Sequence, residues 1–321
     1  LRKKFLNQGS EACNAILEIT KRENPNLIFL LGDLLHTHEM VYVKAFRMLE
    51  DLIDNLRKIA QVHILVGNHD FVNASENQTK EHPFGPFKKW KGVYVHDRVE
   101  KLCVRGYSIL VSPYIPYGHF LEAIEPHSDS DILLAHQPID LVDPKAEPYP
   151  LEYPVMFSGH IHEACDPQEN VHYIGSSLQV NKDEPPDKFF CVLYLDSDSF
   201  SYEYQKLPIK SMVYKKVNFE DINYKELHKL ATNHILKLTI VATKEQKESL
   251  EAHRGYLNLK FTEARITWET PREKINLSLR SSKKRKSFKD ILQRLVENSD
   301  LPTKEAYASI YGVIEPIVIF T

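Results

Sequence analysis

Apolar residues recur with two different periods along the first seventy positions. Residues 10–24, SEACNAILEITKREN, carry Ala12, Ala15, Ile16 and Ile19 at helical spacing, and Pro25 and Asn26 stop the helix they predict. LIFLL (27–31) is continuously apolar, as expected of a strand buried on both faces. Residues 39–59 predict a longer helix whose stripe holds Met40, Val43, Phe46, Met48, Leu49, Leu52, Ile53 and Leu56; VHILV (62–66) is the next strand. Helix, strand, helix, strand in short succession is α/β layering.

From residue 92 the pattern shortens into strands with turns at Gly92 and Gly106, followed by DILLAH (131–136), VMFSGH (155–160), VHYIGS (171–176) and FFCVLYLD (189–196). The segment between His136 and Val155 is rich in proline and acid and is expected to be a loop. The composition shifts near Leu207. HILKLTIVA (234–242), TKEQKESLEAHRGY (243–256) and LNLKFTEARITW (257–268) predict strand, helix and strand in a small separate α+β unit. Residues 271–287 are polar and end in the basic run KKRK (283–286), and 288–300 predict a short helix with Phe288, Ile291, Leu292 and Leu295 on one face. The expected division is therefore 1–206, 207–270, 271–287 and 288–321.

Chemistry-bearing side chains follow the apolar runs. LIFLL ends in Gly32-Asp33, VHILV in Gly67-Asn68-His69-Asp70, DILLA in His136, and VMFS in Gly159-His160-Ile161-His162. The carboxyl ends of strands in an open α/β sheet share an edge where ligands bind. Asp33, Asn68, His136, His160 and His162 are thus expected in one neighbourhood. Carboxylate, carboxamide and imidazole suit first-row divalent metals, and the absence of cysteine from the set argues against a thiolate zinc site. Two ions sharing one carboxylate would clamp the attacking and leaving oxygens of a phosphoryl transfer, and His69, beside the ions, would supply a proton. Each motif alone has a plainer reading: GNHD as a turn, Asp33 as a helix cap, GHIH as surface histidines. His63, His96, His172, His228, His234 and His253 read as ordinary, and His38, His82, His119 and His127 as solvated.

Bulk composition narrows the class. With 321 residues, 42% hydrophobic and 26% charged, the chain has the balance of a globular protein, and its longest apolar runs are too short to span a bilayer. The formal charge of −3 leaves nucleic-acid binding to local basic patches. Four cysteines without close pairing suit free thiols in a reducing, cytoplasmic setting.

Together GDLLH (32–36), GNHD (67–70), AH (135–136) and GHIH (159–162) resemble the calcineurin-like metallophosphoesterase superfamily. His36 closing the second motif, and VHYIGSSLQV after the last, resemble its Mre11/SbcD nuclease branch; the length and tail resemble the compact phage members of that branch. The resemblance implies an α/β metallophosphoesterase sandwich with a small α+β capping domain and a C-terminal helical tail. It implies two Mn²⁺ ions, with Mg²⁺ weaker: Asp33 bridging, Asn68, His136 and His160 holding one, and His162 helping to hold the other. His69 would be the proton donor, kept in place by Asp70, and His36 would help place the substrate. The family also opens with an Asp-x-His motif supplying the second metal. Residues 1–9 contain neither Asp nor His, and the chain starts at Leu1 without methionine, so the strand carrying that motif is expected upstream.

Protein serine/threonine phosphatases of this fold would carry Asp-Arg-Gly where this chain has HTH, which disfavours them. The expected activity is a manganese-dependent DNA exonuclease and endonuclease acting at DNA ends in break processing and recombination. Its expected partners are DNA, a second copy of the chain, and a Rad50/SbcC-like coiled-coil ATPase bound by residues 288–321; no membrane is expected. A phosphodiesterase for small molecules, or a catalytically weakened scaffold of the same fold, stays open.

Overall fold

Residues 1–270 form one compact unit. The computed structural model describes residues 2–271, without 36, 37, 39, 198, 261 and 263. His36, nearly all of the basic linker and the segment 288–321 therefore lie outside the described residues.

Helix α1 (Arg2–Glu23) leads into β1 (Leu27–Leu30), and α2 (Val43–Leu56) separates β1 from β2 (Gln61–Leu65). With β3 (Val93–His96) these strands form an all-parallel sheet in the order β1-β2-β3. A second sheet uses β4 (Glu100–Val104), β5 (Tyr107–Ser112), β6 (Ile132–Ala135), β7 (Val155–Ser158), β8 (Cys165–Gln168) and β9 (Val171–Tyr173), with helix α3 (Phe120–Ile124) between β5 and β6. Its order is β4-β5-β6-β7-β9-β8; β5, β6, β7 and β9 run parallel, and the edge strands β4 and β8 run antiparallel to their neighbours.

Strand periodicity decides how these sheets are covered, because alternate side chains leave opposite faces. Leu110, Leu133 and Met156 join Phe120 and Ile124 of α3 in one core cluster. Ile109, Val111, Ile132, Leu134 and Phe157 point the other way and meet Leu65, Phe29 and Leu31 of the first sheet. The opposite face of that first sheet, with Val62 and Ile64, packs on Leu49, Leu52, Ile53 and Leu56 of α2. The result is a sandwich of two sheets with helices outside, an α/β fold of the expected class. The hairpin of β10 (Phe189–Leu195) and β11 (Phe200–Lys206) adds Cys191, Leu193 and Phe200 to the core between the sheets.

The remainder is a parallel sheet, β12-β13-β14, with its own core cluster. Its elements are β12 (Met212–Asn218), α4 (Tyr224–Asn233), β13 (Ile235–Val241), α5 (Lys244–Glu251), α6 (Arg254–Lys260) and β14 (Arg265–Glu269). A capping box between Thr243 and Gln246 starts α5.

Several expectations change. Residues 257–260, read as strand from the alternating Leu257 and Leu259, lie in α6; Leu259 and Tyr256 are buried three residues apart, while Leu257 is exposed. The helix expected over 39–59 spans only Val43–Leu56; Met40, Val41 and Tyr42 continue the apolar pattern but are exposed and precede it. The His82 side chain is enclosed, not solvated: its Nε2 lies 3.3 Å from Asp97 Oδ2, which also accepts from Lys88 Nζ at 2.5 Å. Among the described residues no helix is long and apolar enough to cross a membrane.

A second buried histidine group carries a pH consequence. His63 stacks on Phe29 and Tyr94, its Nδ1 is 2.9 Å from His96 Nε2, and His96 Nδ1 is 2.7 Å from Glu100 Oε2. Burial, then the neighbouring His96, pulls His63 from 6.5 down to about 4. The unfolded chain takes up this proton below pH 6.5 and the folded chain only near 4. The contribution is therefore whole above 6.5 and is lost as pH falls through that window. Allowing for partial solvation, the loss is roughly 2 kcal/mol. Urea unfolding at neutral and acid pH should show a smaller acid-induced fall for His63→Phe than for the parent. Equal falls in both would assign the acid sensitivity elsewhere.

Candidate metal centre

Residues that follow strands of both sheets meet at one edge of the sandwich. β1 and β2 deliver Asp33 and Asn68 from the first sheet, and β6 and β7 deliver His136 and His160 from the second. Backbones approach closely here. A Cβ on Gly67 would lie 2.2 Å from Asp33 Oδ1, and one on Gly159 would lie 2.6 Å from the Leu31 carbonyl. Two of the four delivered residues, Asp33 and His160, sit in the left-handed region with φ of 53° and 68°. Such strain persists only where surrounding structure enforces it, and it concentrates at functional sites.

The donors converge. Ligand atoms of Asp33, His136 and His160 all lie within 4.8 Å of one another, the one such group among the described residues. His136 Nδ1 donates to the Leu31 carbonyl at 2.6 Å. A neutral His136 therefore carries its lone pair on Nε2. That nitrogen faces Asp33 Oδ1 at 3.3 Å and Asn68 Oδ1 at 3.1 Å. Three acceptors aimed at one another repel unless a proton or a cation stands between them. Asn68 Oδ1 is also 2.9 Å from His160 Nδ1, so both imidazoles address the same oxygen. Nitrogen and oxygen donors in this set fit a first-row divalent ion.

Charge follows the same logic. Burial opposes ionisation of Asp33, but His136 and the His69 backbone N–H hold it at about 2. Burial would lower His136, yet Asp33 draws it above its ordinary value, so a metal ion would replace that proton. Burial, then His136, holds His160 at about 4, leaving it the free base a metal accepts.

Residues 7–164 match the family model described as calcineurin-like phosphoesterase. This segment belongs to the calcineurin-like metallophosphoesterase superfamily. Two viral proteins are similar over longer stretches. "Putative phosphoesterase 078R" of Invertebrate iridescent virus 3 is 30% identical over 219 residues, covering 64% of this chain and 63% of that protein. "Putative phosphoesterase 244L" of Invertebrate iridescent virus 6 is 31% identical over 173 residues, covering 50% and 61%. The chain thus spans less than two thirds of either relative's length. An archaeal phosphodiesterase structure aligns with 60% of this chain and 92% of its own at 12% identity and a TM-score of 0.35, too distant to carry an argument. A metal-dependent phosphoesterase centre at Asp33, His136 and His160 accords with the family.

The other expected residues take distinct places around this candidate metal centre. The His69 backbone N–H donates to Asp33 Oδ1 at 2.9 Å, and its ring stacks on His38 with centroids 5.0 Å apart. Asp70 does not brace His69 as expected. Its carboxylate is buried and accepts from the N–H groups of Gly67 and Leu35 at 2.9 Å each, and more distantly from Leu34. It ties the loop after β1 to the loop after β2 and so places Asp33 against Asn68. Burial and the Asp33 charge push it up to about 7 against those amide bonds. His162 is not in the metal group; its Nδ1 faces Glu184 Oε1 at 2.9 Å.

Four neighbours carry no site signal in the sequence. His38 is exposed, as expected, and donates from Nδ1 to the Phe71 carbonyl at 3.1 Å while its ring stacks on His69. Tyr114 is buried with its ring stacked on His160 at 5.9 Å, and Tyr117 meets Tyr114 edge-on. Glu184 reaches His162 from a loop that has no metal-type spacing. In the sequence that loop shows only charged residues around two prolines, Lys182, Asp183, Glu184, Asp187 and Lys188.

Proposed function

We propose that this chain is a metal-dependent phosphodiesterase that cuts DNA at duplex ends, with a coiled-coil ATPase as partner. The observation that carries the phosphodiesterase reading is the convergence of Asp33, Asn68, His136 and His160 on one point, where His136 Nε2 has only acceptors to face. The phosphoesterase names of the two viral relatives accord with it. Asp33, Asn68, His136 and His160 would hold a divalent ion, which would supply Lewis acidity toward a phosphoryl oxygen. His160 remains unprotonated to hold it, and Asp33 contributes the charge. The loops after β1 and β2 are fixed to each other through Asp70, which keeps the donor set pre-organised. His69, outside the donor set but bonded through its backbone to Asp33, would give a proton to the leaving oxygen.

DNA as substrate is supported by the four motifs in nuclease order, by the βα unit over 212–269 with its separate core, and by the basic run at 283–286. The same reading puts the protein in the cytoplasm as a homodimer with two Mn²⁺ ions, and assigns residues 288–321 to the ATPase. A chain ending at residue 286 should then fail to retain the ATPase in a pull-down; undiminished retention would reject that anchor.

The activity test uses end-labelled duplex DNA and bis(4-nitrophenyl) phosphate with Mn²⁺ or Mg²⁺. Imidazole-rich donors favour manganese, and DNA cleavage should be at least about tenfold faster with it. Hydrolysis of the small diester without any DNA cleavage would replace the nuclease reading by a small-molecule phosphodiesterase. Hydrolysis of neither would overturn the enzymatic reading.

A further inference from the structure

His162 is the one expected metal-site imidazole that the donor group leaves out, and its surroundings are unusually well built. Its Nδ1 lies 2.9 Å from Glu184 Oε1. The Glu184 carboxylate also accepts from Lys188 Nζ at 3.0 Å, Val180 N–H at 3.0 Å and Asn181 N–H at 3.1 Å, so both oxygens are fully engaged. Lys188 is only 2% exposed. Its other two donated bonds go to the His162 carbonyl at 3.1 Å and to Ser176 Oγ at 2.9 Å. Lys188 thus grips the backbone of His162 while Glu184 grips its ring.

We propose that Glu184 and Lys188 are positioning residues that keep the proton of His162 on Nδ1 and leave Nε2 open to a divalent cation beside the Asp33 centre. The proposal rests on the metal-dependent reading given above. The same device operates on His136, whose Nδ1 is tied to the Leu31 carbonyl so that Nε2 faces the site. An imidazole that binds metal through one nitrogen characteristically donates the other N–H to a carboxylate or carbonyl. His162 meets that condition with a carboxylate, and its side chain is 40% exposed, so the second nitrogen is not sealed in the core. It also lines a cavity of about 520 Å³ with Ile161, Glu163, Asn181 and Lys182, which gives a ligand access. Loop stability alone is a poor account of the pair. A buried ion pair contributes little that apolar residues of similar volume would not, whereas only a carboxylate or a similar acceptor fixes a histidine tautomer.

The test reads the tautomer and the metal separately. In the metal-free, ¹⁵N-histidine-labelled chain, above the histidine titration range, two-bond ¹⁵N–¹H correlations report which nitrogen of His162 carries the proton, with His162→Asn identifying the signal. The wild type should show Nδ1–H. The double variant E184L/K188M removes both charges together and strands neither. It should shift His162 toward Nε2–H and weaken Mn²⁺ binding in calorimetry by about 10- to 100-fold. E184Q retains an acceptor for Nδ1–H and should keep the wild-type tautomer and most of the affinity. Wild-type His162 with its proton on Nε2, or a double variant with unchanged tautomer and unchanged Mn²⁺ affinity, would overturn the proposal. The wild-type tautomer is read without any variant, so a double variant that fails to fold does not remove the test. A wild-type chain that binds no Mn²⁺ would overturn the metal reading and the proposal with it. Mn²⁺ binding by a chain whose His162 is Nε2–H would overturn the clamp alone.

Discussion

Asp33→Asn is expected to remove metal binding and hydrolysis together. Asn tolerates the left-handed backbone that residue 33 adopts at φ 53°, so the loop should still form and the chain should melt near the parent. The lost charge is what matters. Asp33 is the only carboxylate in the donor group, it is held ionised at about 2, and it raises His136 above its ordinary value, favouring a proton that a cation would replace. Changes to residues that merely support a ligand already lower metal affinity by about 10- to 100-fold, so loss of the sole anionic ligand should exceed about 100-fold. Calorimetric Mn²⁺ affinity and single-turnover cleavage, measured on the same preparation, should fall together. A variant that binds Mn²⁺ as the parent does would refute the placement of the centre.

His69→Asn separates proton transfer from metal binding. The link between residue 69 and the centre is a backbone N–H to Asp33 Oδ1, which asparagine retains. Metal content and DNA affinity should therefore remain close to the parent values. Loss of the imidazole removes a general acid, which is worth about 10²- to 10⁴-fold in rate. The decisive comparison is between leaving groups. A DNA alkoxide needs the proton and should show the full loss; 4-nitrophenolate leaves without one, so the small diester should lose much less. Equal losses on both substrates would point to a structural or metal-linked effect and remove His69 from the acid role.

Much of this centre was legible before any fold was known. The reason is local. A strand buried on both faces shows as an unbroken apolar run, and a polar residue directly after it, preceded by glycine, has nowhere to go but the sheet edge. LIFLL-Gly32-Asp33, VHILV-Gly67-Asn68 and VMFS-Gly159-His160 all follow this rule, and all three polar residues are found at that edge. The strand boundaries agreed to within about a residue at these sites because glycine ends them.

Where neighbouring residues do not determine burial, the reading failed. Leu257 and Leu259 alternate like a strand, but the chain there is helical because Tyr256 and Leu259 fill the core under the β12–β14 sheet. His82 lies in a polar stretch, yet Asp97, fifteen residues later, satisfies it in the interior.

The residue types, their order, and the glycines that let them approach an ion were therefore determined by the sequence itself, since each depends on a run of no more than ten residues. Their assembly was decided by tertiary structure. Asp33 and Asn68 belong to one sheet and His136 and His160 to another, and only the packing of Phe29, Leu31 and Leu65 on Val111, Leu134 and Phe157 brings the two sets of strand ends together. Asp70 serves the backbone amides of the facing loop, not the adjacent histidine, and Glu184 crosses 22 residues to hold His162. Those contacts rest on long-range burial, which removes water as a competing partner and leaves each buried polar group to find whichever donor or acceptor the fold sets beside it.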